Sequence, residues 1–169
     1  MNDFIYCQRD IPKEQLRYGL RSSAAIGCGW VATYNALKIL GYPSEPEKLI
    51  RMYERMLPLI HGNGGTAILG PAVAFRRWGF PVNVALRRDT FDRIARESDV
   101  CIVFYYWSNK WKIPMGHFVT VRHQDGKFVG YNTYNNSKGP DDWTESIDGF
   151  LKKKKYFGAV LIGIRNFEK

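Results

Sequence analysis

The sequence predicts an α+β fold, a helical half packed on an antiparallel β-sheet, and three observations lead there. Helical periodicity dominates from Cys28 to Trp78, while β-rich runs dominate from Phe80 onward. Asp125-Gly126 joins two of those runs as a tight hairpin. Helices in one block and strands in another give an antiparallel sheet with helices segregated from it.

Each element has its own signal. The first 20 residues carry no periodicity and read as an N-terminal arm. Cys28–Leu40 has a helical pattern, and Gly41 fits the position just past its end. In "SEPEKLIRMYERML", Ser44 and Glu47 have capping-box spacing and Pro46 sits in the first turn. Leu49, Met52, Tyr53, Met56 and Leu57 supply that helix's apolar face. "HGNGG", with His61, reads as a flexible loop. Thr66 is the expected cap of a third helix through Trp78, closed by Gly79.

"FPVNVAL" alternates as a strand, and "DTFDRIARES" is a short helix with Asp89 as its expected cap. "VCIVFYYW" reads as a strand buried on both faces. "HFVTVRH" and "KFVGYNTY" form the hairpin around Asp125-Gly126, which leaves His123 near the exposed tip. "TESIDGFLKK" is a helix and "YFGAVLIGIRNF" a last strand. The 169 residues suit one domain spanning 1–169.

Composition narrows the function. Three cysteines, Cys7, Cys28 and Cys101, without paired spacing argue against a disulfide scaffold, and no spacing suggests a metal site or a cofactor. No apolar run is long enough for a membrane helix, and the N-terminus lacks a signal-peptide pattern, so a cytoplasmic protein is expected. Net charge is +9, but no nucleic-acid motif accompanies it. The run Lys152–Lys155 reads as a solvated helix end. Nothing in the sequence sets an oligomeric state.

Cys28 stands apart from the other cysteines. Cys101, inside an apolar strand, reads as an inert core thiol. Cys28 opens a helix, where free N–H groups favour a thiolate, and Gly27 and Gly29 flank it as if to let a substrate backbone approach. A thiol nucleophile needs a base and a group that orients the base. His117, preceded by Gly116, opens a strand, and Asn132 lies on the partner strand. If Gln124 faces Lys127 across the turn, His117 faces Tyr134 and Asn132 is its diagonal neighbour, about 7–8 Å away. Each of the three also has a plainer reading: a packing cysteine, a structural strand histidine and a turn-end amide.

"GCGWVATYNALKILG", "GHFVTV" and "GYNTY" together resemble the papain-like cysteine peptidase superfamily. The nearest likeness is to the bacteriocin-processing peptidases, which clip leader peptides after double-glycine motifs. The intervals of 89 residues from Cys28 to His117 and 15 from His117 to Asn132 fit that family's spacing. The resemblance implies a papain-like fold with Cys28 on the central helix. It also implies Cys28 as nucleophile, His117 as general base and acid, and Asn132 as orienter of the imidazole. A glutamine usual in the family six residues before the cysteine is replaced by Ser22. Ser22, Ser23 or Gln15 then becomes the candidate oxyanion donor beside the Cys28 N–H.

The expected activity is therefore cysteine-type hydrolysis of a peptide or protein substrate. Acyl transfer through the same thiol, or peptide binding without turnover, are the alternatives. Gly27, Gly29, Trp30, Trp107, Trp111 and Gly116 are the candidates to line the substrate groove, while Trp78 is assigned to the core.

Overall fold

A computed structural model describes residues 4–56, 65–108, 111, 114–143, 145–154 and 156–167. His61, Leu57 and Lys155 lie outside the described residues. Two short strands, β1 (Arg17–Tyr18) and β2 (Arg21–Ser22), pair with each other near the N-terminus. The helices α1 (Ser23–Ile26), α2 (Cys28–Ile39), α3 (Pro46–Arg55) and α4 (Gly70–Arg77) follow. The rest comprises β3 (Val82–Ala85), α5 (Phe91–Arg96), β4 (Val100–Ser108), β5 (Pro114–Gln124), β6 (Lys127–Tyr131), β7 (Asp141–Asp142), α6 (Ile147–Lys153) and β8 (Gly158–Ile164).

Six of these strands form one antiparallel sheet in the order β3-β8-β4-β5-β6-β7. The last strand in sequence is thus inserted between β3 and β4. Both faces of the sheet are covered. On one side Trp30, Val31 and Tyr34 of α2 pack with Tyr53, Phe75, Ile102 and Phe118. On the other, Phe91 and Ile94 of α5 and Phe150 and Leu151 of α6 pack with Val103, Val119 and Leu161. The helices are therefore not all segregated to one face. Alternation along β4 explains why: Cys101, Val103 and Tyr105 face one core and Ile102 and Phe104 the other.

The central helix α2 is apolar almost all round, with nine of its twelve residues buried. Its buried polar groups are all bonded. Thr33 Oγ1 donates to the Gly29 carbonyl at 3.0 Å and meets Tyr53 OH at 2.6 Å. Thr120 Oγ1 of β5 donates to the Ala32 carbonyl at 2.8 Å, which ties helix to sheet. Gly41 takes φ +84° beyond the helix end, and the N–H groups of Gly41 and Tyr42 close onto Lys38 and Leu37.

Several local expectations are corrected. The N-terminal arm is packed: Ile5, Cys7, Ile11, Leu16 and Tyr18 are buried, and Asn35 of α2 grips Ile5 through both of its backbone groups at 2.9 Å. These irregular residues are held by long-range bonds, which leave no periodicity to read. Ser44 caps nothing; α3 starts after Glu45 with no side-chain cap. Thr66 lies ahead of α4, whose first residue is Gly70, and meets Tyr18 OH at 3.0 Å instead. Asp89 sits inside a 3-10 turn and pairs with Arg87 at 2.6 Å, so Thr90 precedes α5. Trp78 is 36% exposed and packs edge-on against Phe75 at the rim of the core. His123 is half-buried, its ring tilted on Phe128.

Candidate active site

A cavity of about 800 Å³ opens at the N-terminus of α2. Cys28, His117 and Asn132 all line it, together with Gln8, Ser22, Trp107 and Gly116. Cys28 is the first residue of α2 and half-buried. Burial pushes its thiol above the ordinary range, while the backbone N–H groups of Phe118, Gly29 and Cys28 itself pull it back. Dehydration outweighs the helix terminus here, so the resting group is a thiol. The expected thiolate is corrected on that physical ground.

His117 is half-buried on β5, paired with Tyr105 of β4 and edge-on to its ring at 6.1 Å. Its Nε2 lies 2.6 Å from the backbone carbonyl of Asn132. A carbonyl only accepts, so Nε2 carries the proton and Nδ1 is left as the basic nitrogen. Burial drives the imidazole down from 6.5 to about 4. The Asn132 carbonyl opposes that shift, and the nearby Lys154 ammonium reinforces it. At neutral pH the site therefore rests as thiol and neutral imidazole.

The hairpin register is the expected one from Gln124↔Lys127 to Thr120↔Tyr131, and Asp125 and Gly126 both take positive φ in the turn. The ladder stops at Tyr131. Asn132 leaves it with φ +61°, a left-handed conformation that asparagine tolerates better than most residues. The turn directs its carbonyl, rather than its side chain, at His117. The expected pairing of His117 with Tyr134 is thus replaced by a backbone contact.

The buried side chain of Asn132 is held by a residue that the sequence reading missed. Gln8 N–H donates to Asn132 Oδ1 at 2.8 Å, and Asn132 Nδ2 donates to Gln8 Oε1 at 3.1 Å. Gln8 Nε2 donates in turn to the Ala24 carbonyl at 3.2 Å, in α1 just before the thiol. No spacing rule links residue 8 to residue 132, so no sequence signal marked it. Cys7 is buried beside it and donates to the Asn135 carbonyl at 3.1 Å.

The other candidates divide. Ser22 and Gly116 line the cavity, and so does Trp107, stacked on Tyr105 at 5.5 Å. Ser23 is fully buried and its Oγ accepts from Trp30 Nε1 at 3.0 Å. Gln15 is exposed and lies outside the cavity lining. Trp30 is a core residue, with no exposed surface to offer a substrate. Trp111 is 72% exposed and is not among the lining residues. Gly27 and Gly29 are buried; a methyl group on Gly27 would strike Ser23 and Trp30, and one on Gly29 would strike Thr66. They admit core neighbours rather than a substrate. Cys101 is buried on the far core, its thiol pushed up to about 12 by burial.

Among the described residues no cluster of side chains could hold a metal, and no helix is long and apolar enough to cross a membrane. Neither a family model nor a curated protein sequence matches the chain. A solved structure does: the peptidase domain of Streptococcus ComA, a bifunctional ABC transporter involved in a quorum-sensing pathway. The likeness has a TM-score of 0.53 at 15% identity, over 82% of this chain and 90% of that one. The chain therefore has the papain-like α+β fold of that peptidase domain.

Proposed function

We propose that this protein is a cysteine peptidase acting on a peptide or protein substrate. The observation that carries the reading is the shared cavity: a thiol on the first residue of the central helix, with an imidazole whose Nε2 is held by the Asn132 carbonyl. Cys28 Sγ attacks the peptide carbonyl as its proton passes to His117 Nδ1. The tetrahedral intermediate collapses, the C–N bond breaks, and His117 returns that proton to the leaving amine. Water, deprotonated by the same nitrogen, then hydrolyses the thioester and releases the acid. Asn132 positions the ring through its backbone. The Cys28 N–H serves the oxyanion, and Ser22 is the serine among the earlier candidates that lines the cavity. Gln8 Nε2, which has a second N–H beyond the one given to Ala24, is the other donor there.

The test is direct. The wild-type protein is incubated with a mixed peptide library, and cleavage is read by mass spectrometry. Cleavage that disappears in both Cys28→Ala and His117→Ala, with an acyl adduct trapped on Cys28, supports the reading. Cleavage that persists in Cys28→Ala overturns it. An adduct on Cys28 that resolves only onto added amines would instead identify an acyltransferase.

A further inference from the structure

Among the described residues, three cations, Arg9, Lys13 and Lys154, line the cavity, and no aspartate or glutamate does. Outside the cavity, eight basic side chains have carboxylate partners. Lys48, Arg87, Arg88, Arg93, Lys127, Lys138, Lys152 and Arg165 all sit in ion pairs. None of the three cavity cations has such a partner among the described residues.

Lys154 is the most defined of them. It follows α6 directly and is half-buried, unlike its exposed neighbours Lys152 and Lys153. Its Nζ lies 3.9 Å from the centre of the Tyr134 ring and 5.3 Å from that of Phe150. Those rings fix the ammonium at the cavity wall. Reading Lys152–Lys155 as a solvated helix end therefore fails at Lys154. Burial pulls its pKa below the ordinary lysine range, with Asp141 acting the other way. Asp141 does not line the cavity, and its Oδ2 accepts from Ser137 Oγ at 2.6 Å.

We propose that Lys154, assisted by Arg9 and Lys13, makes the cavity selective for peptides carrying an acidic side chain beside the scissile bond. The proposal rests on the peptidase reading for its word "scissile", and on the charge of the cavity for its selectivity. A partly dehydrated ammonium that is in no ion pair among the described residues gains most from a ligand that brings a carboxylate. There is a second consequence. Lys154 lowers the basicity of His117, so a substrate carboxylate that screens it raises the basicity of the imidazole as the substrate binds. An acidic peptide thus improves both binding and the proton transfer that follows.

The test uses random octapeptides with one fixed position, Glu, Gln or Lys, captured on immobilised Cys28→Ala protein and counted by mass spectrometry. Expected is enrichment of Glu over Gln peptides by roughly tenfold, with Lys peptides rejected. Lys154→Gln should erase most of that preference and Lys154→Glu reverse it. Lys153→Gln, which changes net charge equally but lies outside the cavity lining, should leave it intact. Equal capture of Glu and Gln peptides overturns the proposal, as does an equal effect of Lys153→Gln and Lys154→Gln. Binding here needs no turnover. Acid-selective capture by a protein whose wild type cleaves nothing would overturn the peptidase reading alone.

Discussion

Gln8 and Asn132 hold each other by two reciprocal hydrogen bonds, although 124 residues separate them in sequence. The pair fixes the left-handed turn at Asn132 whose carbonyl holds His117 Nε2. Gln8→Ala leaves the Asn132 amide without its side-chain acceptor, at a cost of about 1–3 kcal/mol in denaturant unfolding. Peptide cleavage should fall about ten- to a hundredfold, mostly in kcat, because the ring loses alignment and the oxyanion loses the Gln8 Nε2 donor. Gln8→Glu keeps an acceptor oxygen and should recover part of that loss. Equal kcat values for Gln8→Ala and wild type would remove Gln8 from any positioning role.

Asn132 itself separates a backbone role from a side-chain role. Asn132→Gly keeps easy access to φ +61° and the carbonyl that meets His117, but loses the amide pair. Asn132→Ala loses the pair and also carries roughly 1 kcal/mol of left-handed strain. Activity should therefore rank wild type, then glycine, then alanine, with at least severalfold between the two variants. If the amide side chain oriented the imidazole directly, the two variants would be equally impaired.

Both reactive groups rest neutral, and this sets the pH behaviour. The folded imidazole binds its proton only near pH 4, whereas the unfolded one binds near 6.5. Between those values the unfolded chain holds the extra proton, so stability is present above pH 6.5 and is lost as pH falls toward 4. The full gap is worth at most about 3 kcal/mol, and partial exposure reduces it. In urea titrations at pH 7 and pH 4.5, His117→Gln should shrink the difference by about 1–3 kcal/mol. An undiminished difference would place His117 outside that linkage. The acid limb of kcat/KM should likewise fall near pH 4 rather than 6.5.

Alkylation of Cys28 follows the same logic. Its thiol is raised by burial, so iodoacetamide should label it slowly at pH 6 and faster as pH climbs into the alkaline range. Fast labelling at pH 6 would mean a preformed ion pair with His117.

What the sequence made legible follows periodicity and local chemistry. The helix after Cys28 and the hairpin at Asp125-Gly126 rest on contacts between near neighbours, and the strand at Cys101 announces its burial by an unbroken apolar run. Cys28, His117 and Asn132 were readable as residue types at telling positions, and the fold brings all three to one cavity. Which atom of Asn132 faces the ring was not readable, because it depends on where the β5–β6 ladder ends. Gln8 and Lys154 were invisible for a similar reason. Each acts through contacts whose partners lie far away in sequence or on a neighbouring loop.

The glycines beside Cys28 give the last prediction. Sequence alone suggested that they clear space for a substrate, whereas the structure gives that space to the core. A Cβ on Gly29 collides with Thr66, and Thr66 is already held against Tyr18 OH at 3.0 Å. The neighbour therefore cannot swing aside without breaking a buried bond. Gly29→Ala should destabilise the fold by about 1–3 kcal/mol. In a Thr66→Gly background, which lacks the Oγ1, Cβ and Cγ2 atoms that the new methyl group would meet, the same Gly29→Ala change should cost less. A glycine kept for substrate access would behave differently. Its alanine variant would unfold like the wild type and raise KM, and the Thr66→Gly background would change neither.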